Sequence, residues 1–291
     1  MERESLLTLL MLLLGGIALQ PLAMFAPHSN PDAAERQAWI RLWLPLAPAL
    51  VTVAWLCGWA LREPDPVADR VDQWVLIGAC LPFAAVLVRA AARAAWALAR
   101  DPSQAGVFTA GLLRPRVTFS PFLARTLDDA ALEAAWQHEQ AHARHRDPLR
   151  IWLAQLATDL QWPWPGAGVR FAAWLEALEY ARDDEARRHG ASGEALAAAL
   201  LATLRHTNAL YAAHAESGGQ AMRAQARLVG SRRALQKRIA RLLAPMPAAQ
   251  TSRASTRTWL GAHFALLLLV AGVLGAVYGD PIVRELLAWI A

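Results

Sequence analysis

Three long apolar stretches crowd the N-terminal third of the chain, roughly Leu6 to Phe25, Trp39 to Leu61 and Trp74 to Val88, and a fourth runs from about Trp259 to Tyr278. A helix needs about 20 apolar residues to cross a bilayer core, and no run between Ala99 and Arg257 comes near that length. The pattern predicts a mainly α, multi-pass membrane protein with four transmembrane helices: three over residues 1–98, a polar domain over 99–257, and a closing span with a short tail over 258–291. A hydrophobic content of 56% and a positive mean hydropathy agree, since both exceed what a soluble domain usually carries. The third stretch is the shortest, because Arg89 arrives after about fifteen apolar residues, and Arg89 and Arg93 are expected to snorkel to the headgroups. The first stretch reads as a span rather than a signal peptide: Met1 to Glu4 is not basic overall, and no small-residue cleavage site precedes Pro27. Trp39, Trp43, Trp59, Trp74 and Trp259 fall near the expected span ends, where indoles prefer the interface.

Arginine placement sets an orientation. Arg36 and Arg41 precede the second stretch, Arg89, Arg93 and Arg100 follow the third, and the loop from Arg62 to Gln73 is net acidic. The positive-inside rule then puts the N-terminus outside and the middle domain in the cytoplasm, under an inner membrane. Cys57 and Cys80 both fall in expected spans, which excludes a disulfide scaffold and cysteine ligands. The net charge of +5 includes a run without an acid, Arg223, Arg227, Arg232, Arg233, Lys237, Arg238 and Arg241, read as a basic face near anionic lipid. No nucleic-acid motif accompanies it, so no direct nucleic-acid partner is expected.

The middle domain opens with β-prone runs, Val107 to Thr109 and Val117 to Phe119, separated by Gly111 and Pro115, which predicts a short hairpin or two edge strands. A helix should follow from Asp128 and Asp129 through Ala130 to Arg146, stopped by Pro148. Inside it lies H-E-x-x-H, as His138, Glu139 and His142. Four residues on a helix is close to one turn, so both imidazoles share a face and reach one ion.

A catalytic zinc needs a third protein ligand and an open position. His145 shares the face of His138 but stands two turns away, about 10 Å along the axis, too far for a common ion. A third histidine six residues after His142 is excluded, because that position is Pro148. The next long helix, Val169 to Arg188, carries Glu179 and Asp183 four apart: one carboxylate to bind the ion and one to hold the Nδ1 of a ligating histidine. Glu176, one turn earlier, is an alternative ligand that spacing alone leaves open.

Four ordered motifs, G-L-L-R-P-R (Gly111 to Arg116), H-E-x-x-H-x-x-x-x-D-P (His138 to Pro148), Q-W-P-W-P (Gln161 to Pro165) and E-x-x-x-D (Glu179 to Asp183), resemble the BlaR/MecR-type membrane zinc metallopeptidases. The segment Ser231 to Leu243 is similar to that family's basic helix before the last span. The resemblance covers essentially the whole chain and implies an α+β zincin-like peptidase domain between the third and fourth spans. It also implies one zinc ion on His138, His142 and Glu179, Glu139 as general base, and Asp183 behind a ligand. The chain departs from the family pattern at Leu178 and Arg182, where arginine and cysteine are frequent, and has no penicillin-binding sensor domain after the last span, so a separate sensor partner is expected. The implied activity is cleavage of a cytoplasmic regulatory protein such as a transcriptional repressor, with Arg116, Val117, Thr118 and Phe119 offered as the edge along which a substrate strand adds. Tyr180, His206 and Tyr211 are candidates for stabilising the oxyanion. Two other readings share the same residues: a membrane protease of the prenyl-protein or quality-control type, and a catalytically idle membrane adaptor.

Overall fold

The computed structural model describes residues 8–13, 18–21, 23, 31–60, 73–99, 107–162, 164, 166–216, 232–246, 263–264 and 266–278. The described chain is mainly helical. Its elements are α1 (Pro31–Trp43), a 3-10 turn (Leu44–Leu46), α2 (Ala47–Ala60), α3 (Gln73–Ala99), β1 (Val107–Ala110), β2 (Arg116–Phe119), α4 (Pro121–Thr126), α5 (Asp129–Arg144), α6 (Asp147–Leu160), α7 (Gly166–Arg188), α8 (Gly193–Glu216) and α9 (Arg232–Leu243). A further helical stretch, α10, covers Leu266–Tyr278.

Two helical stretches are long and apolar enough to cross a membrane, Pro31–Trp59 and Ile77–Ala95; α10 is apolar but shorter. Of the first expected span, only parts are described. The acidic loop 62–72, Arg223, Arg227 and the tail from Asp280 lie outside the described residues.

The second expected span is divided. Pro45 removes a backbone donor, and the helix tightens to a 3-10 turn at Leu44–Leu46 before α2 begins. One face of the helix before that turn packs inward: α1 lies along α7, and Trp39 meets both Trp43 and Trp174, with Trp39 and Trp174 ring centroids 5.1 Å apart. Trp39 and Trp43, both half-buried, are therefore packing residues within a span-length apolar stretch. Leu42, Leu46, Ala154, Ala157, Trp174 and Leu178 form this core. A second core joins Ala134 of α5, Ala186 of α7, Leu196 and Ala197 of α8 and Leu242 of α9.

The apolar helices keep a different surface. Leu81, Leu87 and Val88 on α3 and Leu269 on α10 are exposed by 62–70%, an arrangement that suits lipid contact better than water. The α2 and α10 backbones approach closely at glycines: a Cβ on Gly58 would stand 1.9 Å from the Gly272 carbonyl oxygen, and one on Gly275 would stand 2.1 Å from that of Trp55. Small residues permit such approach where two apolar helices cross.

β1 and β2 pair antiparallel, with Thr109 opposite Val117 and Ala110 opposite Arg116. Gly111 makes the reversal with φ at 98°, a conformation that costs a side-chain-bearing residue and not glycine. The hairpin rests on α5, while α6, α7 and α8 surround that helix.

Trp174 has no solvent exposure and carries the contact between α1 and α7. Trp174→Ala should destabilise the protein by about 3–5 kcal/mol through lost burial and a residual cavity. A lowered unfolding midpoint in detergent is the expected result; an unchanged one contradicts this packing.

Candidate metal centre

Asp128 opens α5 by accepting the Ala131 N–H at 2.7 Å, as a helix N-cap should. The helix ends at Arg144, two residues earlier than the sequence suggests. Arg146 adopts a left-handed conformation with φ at 53°, unusual for a residue with a side chain and costing on the order of 1–3 kcal/mol. Pro148 does not stop α5 but starts α6, where its missing N–H is harmless. The sharp turn brings Asp147, fully buried, back against His142.

His138 Nε2 and His142 Nε2 lie 3.1 Å apart. From α7, Glu179 places Oε2 3.5 Å from the first and Oε1 3.6 Å from the second. Ligands at about 2.0–2.1 Å on a tetrahedral ion stand roughly 3.3 Å from one another. The three side chains thus fit one metal ion, with ligand atoms all within 4.8 Å of one another. Glu176 is turned away and accepts the Tyr180 hydroxyl at 2.7 Å. His145 meets Glu185 at 2.8 Å and faces away from the pair, as its axial distance requires.

Each imidazole has a carboxylate behind it. His142 Nδ1 donates to Asp147 Oδ2 at 2.8 Å, leaving Nε2 for a cation. His138 Nδ1 is 3.0 Å from Asp183 Oδ1, within ion-pair distance though off the hydrogen-bond axis. Arg182 has a physical role: it donates to both oxygens of Asp147, at 2.5 and 3.0 Å. A guanidinium fork held by one carboxylate is the strong form of a buried pair.

Arg238 completes the cluster. From α9 it donates to Asp183 at 2.7 and 2.8 Å, pairs with Glu179 Oε2 at 2.7 Å, and comes within 3.4 Å of His138 Nε2. Arg241 likewise turns inward to Asp184 and to the Tyr180 carbonyl. The lipid-facing reading of the basic run is therefore corrected at these two positions. Their spacing of three on an amphipathic helix was the signal that they share a face, and the acids opposite were four to five positions apart on another helix.

Glu139 is held by a residue that sequence reading missed. The Thr109 hydroxyl of β1 lies 2.8 Å from both the Glu139 Oε2 and its backbone oxygen. Thr109, Glu139, both histidines, Glu179 and Arg238 line a cleft of about 300 Å³ that also has an apolar lining, with Ile151, Leu196 and Leu200. Arg116, Val117, Thr118 and Phe119 form β2, and none of the described β2 side chains lines the cleft; the strand that reaches it is β1. Of the candidate oxyanion groups, Tyr180 is committed to Glu176, His206 does not line the cleft, and the Tyr211 side chain lies outside the described residues.

The charges shape one another. Burial would lower His138, but Asp183 and Glu179 against the ring push it up to about 10. Burial would raise Glu179 and Asp183, yet Arg238 and the histidines hold both below the usual carboxylate range. Asp147 is lowered in the same way, by His142 and Arg182 against the opposing effect of burial.

Comparison of the chain with family models, curated proteins and solved structures finds no match. The likeness to BlaR/MecR-type peptidases rests on the ordered motifs alone.

Glu185 gives a pH test away from the metal ligands. Burial opposes its ionisation, but His145, Arg182 and Arg144 bring it from 4.5 down to about 2. A carboxylate depressed on folding stabilises the protein above its unfolded value and ceases to do so as pH falls through its folded value. Wild type should therefore lose more stability than Glu185→Gln between pH 4.5 and 2; parallel losses in acid melts contradict the assignment.

Proposed function

We propose that this chain is an integral-membrane zinc-dependent endopeptidase. The observation that carries the reading is the convergence of His138, His142 and Glu179 on one point of a cleft that also holds Glu139. Zinc fits the donor set of two imidazoles and a carboxylate, and when bound it supplies a Lewis acid that polarises a carbonyl and lowers the pKa of water to about 7.

The chain's own groups do the rest. Asp147 fixes His142 in the tautomer that presents Nε2, and Asp183 backs His138. Glu139 takes the proton of the attacking water and returns it to the departing amine. Thr109 limits the Glu139 carboxylate to one orientation. A substrate segment lying extended beside β1 would meet Glu139 from the strand side, with its side chains toward Leu196 and Leu200.

The membrane reading takes the apolar stretches as four spans with an α+β zincin-like domain between the third and fourth, the N-terminus outside and the domain cytoplasmic. The two span-length apolar stretches, the exposed leucines of α3 and the glycine contact between α2 and α10 support it. The substrate class is a cytoplasmic regulatory protein such as a transcriptional repressor.

Detergent-purified protein should carry about one zinc per chain, and His142→Ala and Glu179→Ala should lose it on elemental analysis. Glu139→Ala should retain zinc while cleavage of a peptide library falls by roughly 10²–10⁴-fold. Absence of zinc after reconstitution, or undiminished cleavage by the Glu139 variant, contradicts the proposal.

A further inference from the structure

A chain of buried charges runs from the metal centre to the helix that leads into the apolar α2. Asp147 receives His142 and Arg182, and its Oδ1 also accepts Arg150 Nη1 at 3.0 Å. Arg150 donates through Nη2 to Glu35 of α1, which also accepts the Trp174 indole N–H at 3.1 Å. Glu35 is only 4% exposed and Asp147 not at all. The Arg150 guanidinium is framed by the Trp39 and Trp174 rings, 5.0 and 5.6 Å from their centroids.

The cluster pairs two carboxylates, Glu35 and Asp147, with two guanidiniums, Arg150 and Arg182, and Glu185, 3.6 Å from Arg182, is balanced by Arg144, so the whole is neutral. Without the Glu35 charge, a buried positive surplus would fall on Asp147, whose two oxygens already serve both arginines and His142. Asp147 would then offer less negative charge to the His142 Nδ1 proton, and Nε2 would become a weaker donor to a cation. Glu35 touches neither the cleft nor a ligand; its charge reaches His142 through Asp147, by way of Arg150 and of its field on Arg182.

We propose that Glu35 is a positioning residue for the metal ligand His142, so that α1, which continues through the Leu44–Leu46 turn into apolar α2, sets the metal affinity of the centre. The inference rests on the metal-site reading above. It gives a displacement of the apolar segment a physical route to the site: moving α1 relative to α6 loosens the Arg150–Glu35 pair, and Arg150 redistributes onto Asp147.

The test is zinc affinity of the full-length detergent-purified chain, measured by competition with a chromophoric chelator, together with the visible absorption bands of the cobalt-substituted protein. Glu35→Gln should weaken zinc binding roughly three- to thirty-fold and shift the cobalt bands, whereas Asp32→Asn, on the same helix and paired with exposed Arg188, should change neither. In an Asp147→Asn background the Glu35 effect should vanish. Adding Arg150→Met to Glu35→Gln restores neutrality and should return affinity to near the wild-type value, which also serves as the test if Glu35→Gln alone fails to fold. Unchanged affinity in folded Glu35→Gln, or an effect that persists beside Asp147→Asn, overturns the coupling while leaving the metal site standing. A wild type that takes up no zinc overturns both.

Discussion

Charge neutrality inside a low-dielectric junction is the constraint on which this structure depends. Where α5, α6, α7 and α9 meet, His142, Asp183, Asp147 and Arg182 are buried, His138 and Arg238 are mostly so, and Glu179 reaches them from the partly open cleft. An isolated charge buried there would cost several kcal/mol. Each is instead shared: Asp147 between His142 and Arg182, Asp183 between His138 and Arg238. The geometry of the two histidines follows from these pairings as much as from their spacing on one helix. The left-handed turn at Arg146 is the local strain that the arrangement tolerates, because it delivers Asp147 to the back of His142.

Helical spacing made half of the site legible. H-E-x-x-H fixes the relative position of two imidazoles before any tertiary contact, and E-x-x-x-D does the same for two carboxylates. The choice between Glu176 and Glu179 was not legible, because it depends on how α7 is rotated against α5. Asp147 was visible only as a letter in a motif; its function needs the αL turn, which a sequence ending in H-R-D-P does not disclose. Thr109 comes from a strand 30 residues away, and no local pattern marks a hydroxyl that will meet a glutamate.

Composition alone leaves two elements incompletely described. Trp39 to Leu61 has the length and hydropathy of a span, and its first turns also pack Trp39, Leu42 and Trp43 around Trp174. Hydropathy measures what a segment avoids, and it does not say which apolar partner the segment meets. On the basic helix α9, Arg238 and Arg241 read as solvated or lipid-facing until their carboxylate partners on α7 are brought to them. In both cases the partner supplies what composition leaves open.

The central claim is that one ion is held by nitrogen and oxygen from His138, His142 and Glu179. X-ray absorption at the zinc edge of the purified, zinc-loaded chain tests it most directly. The account predicts a four-coordinate shell of nitrogen and oxygen at about 2.0–2.1 Å, the outer-shell scattering of two imidazoles, and no zinc left to measure in His142→Ala. A sulfur shell near 2.3 Å, which would implicate Cys57 or Cys80, or a six-oxygen shell without imidazole, would contradict it.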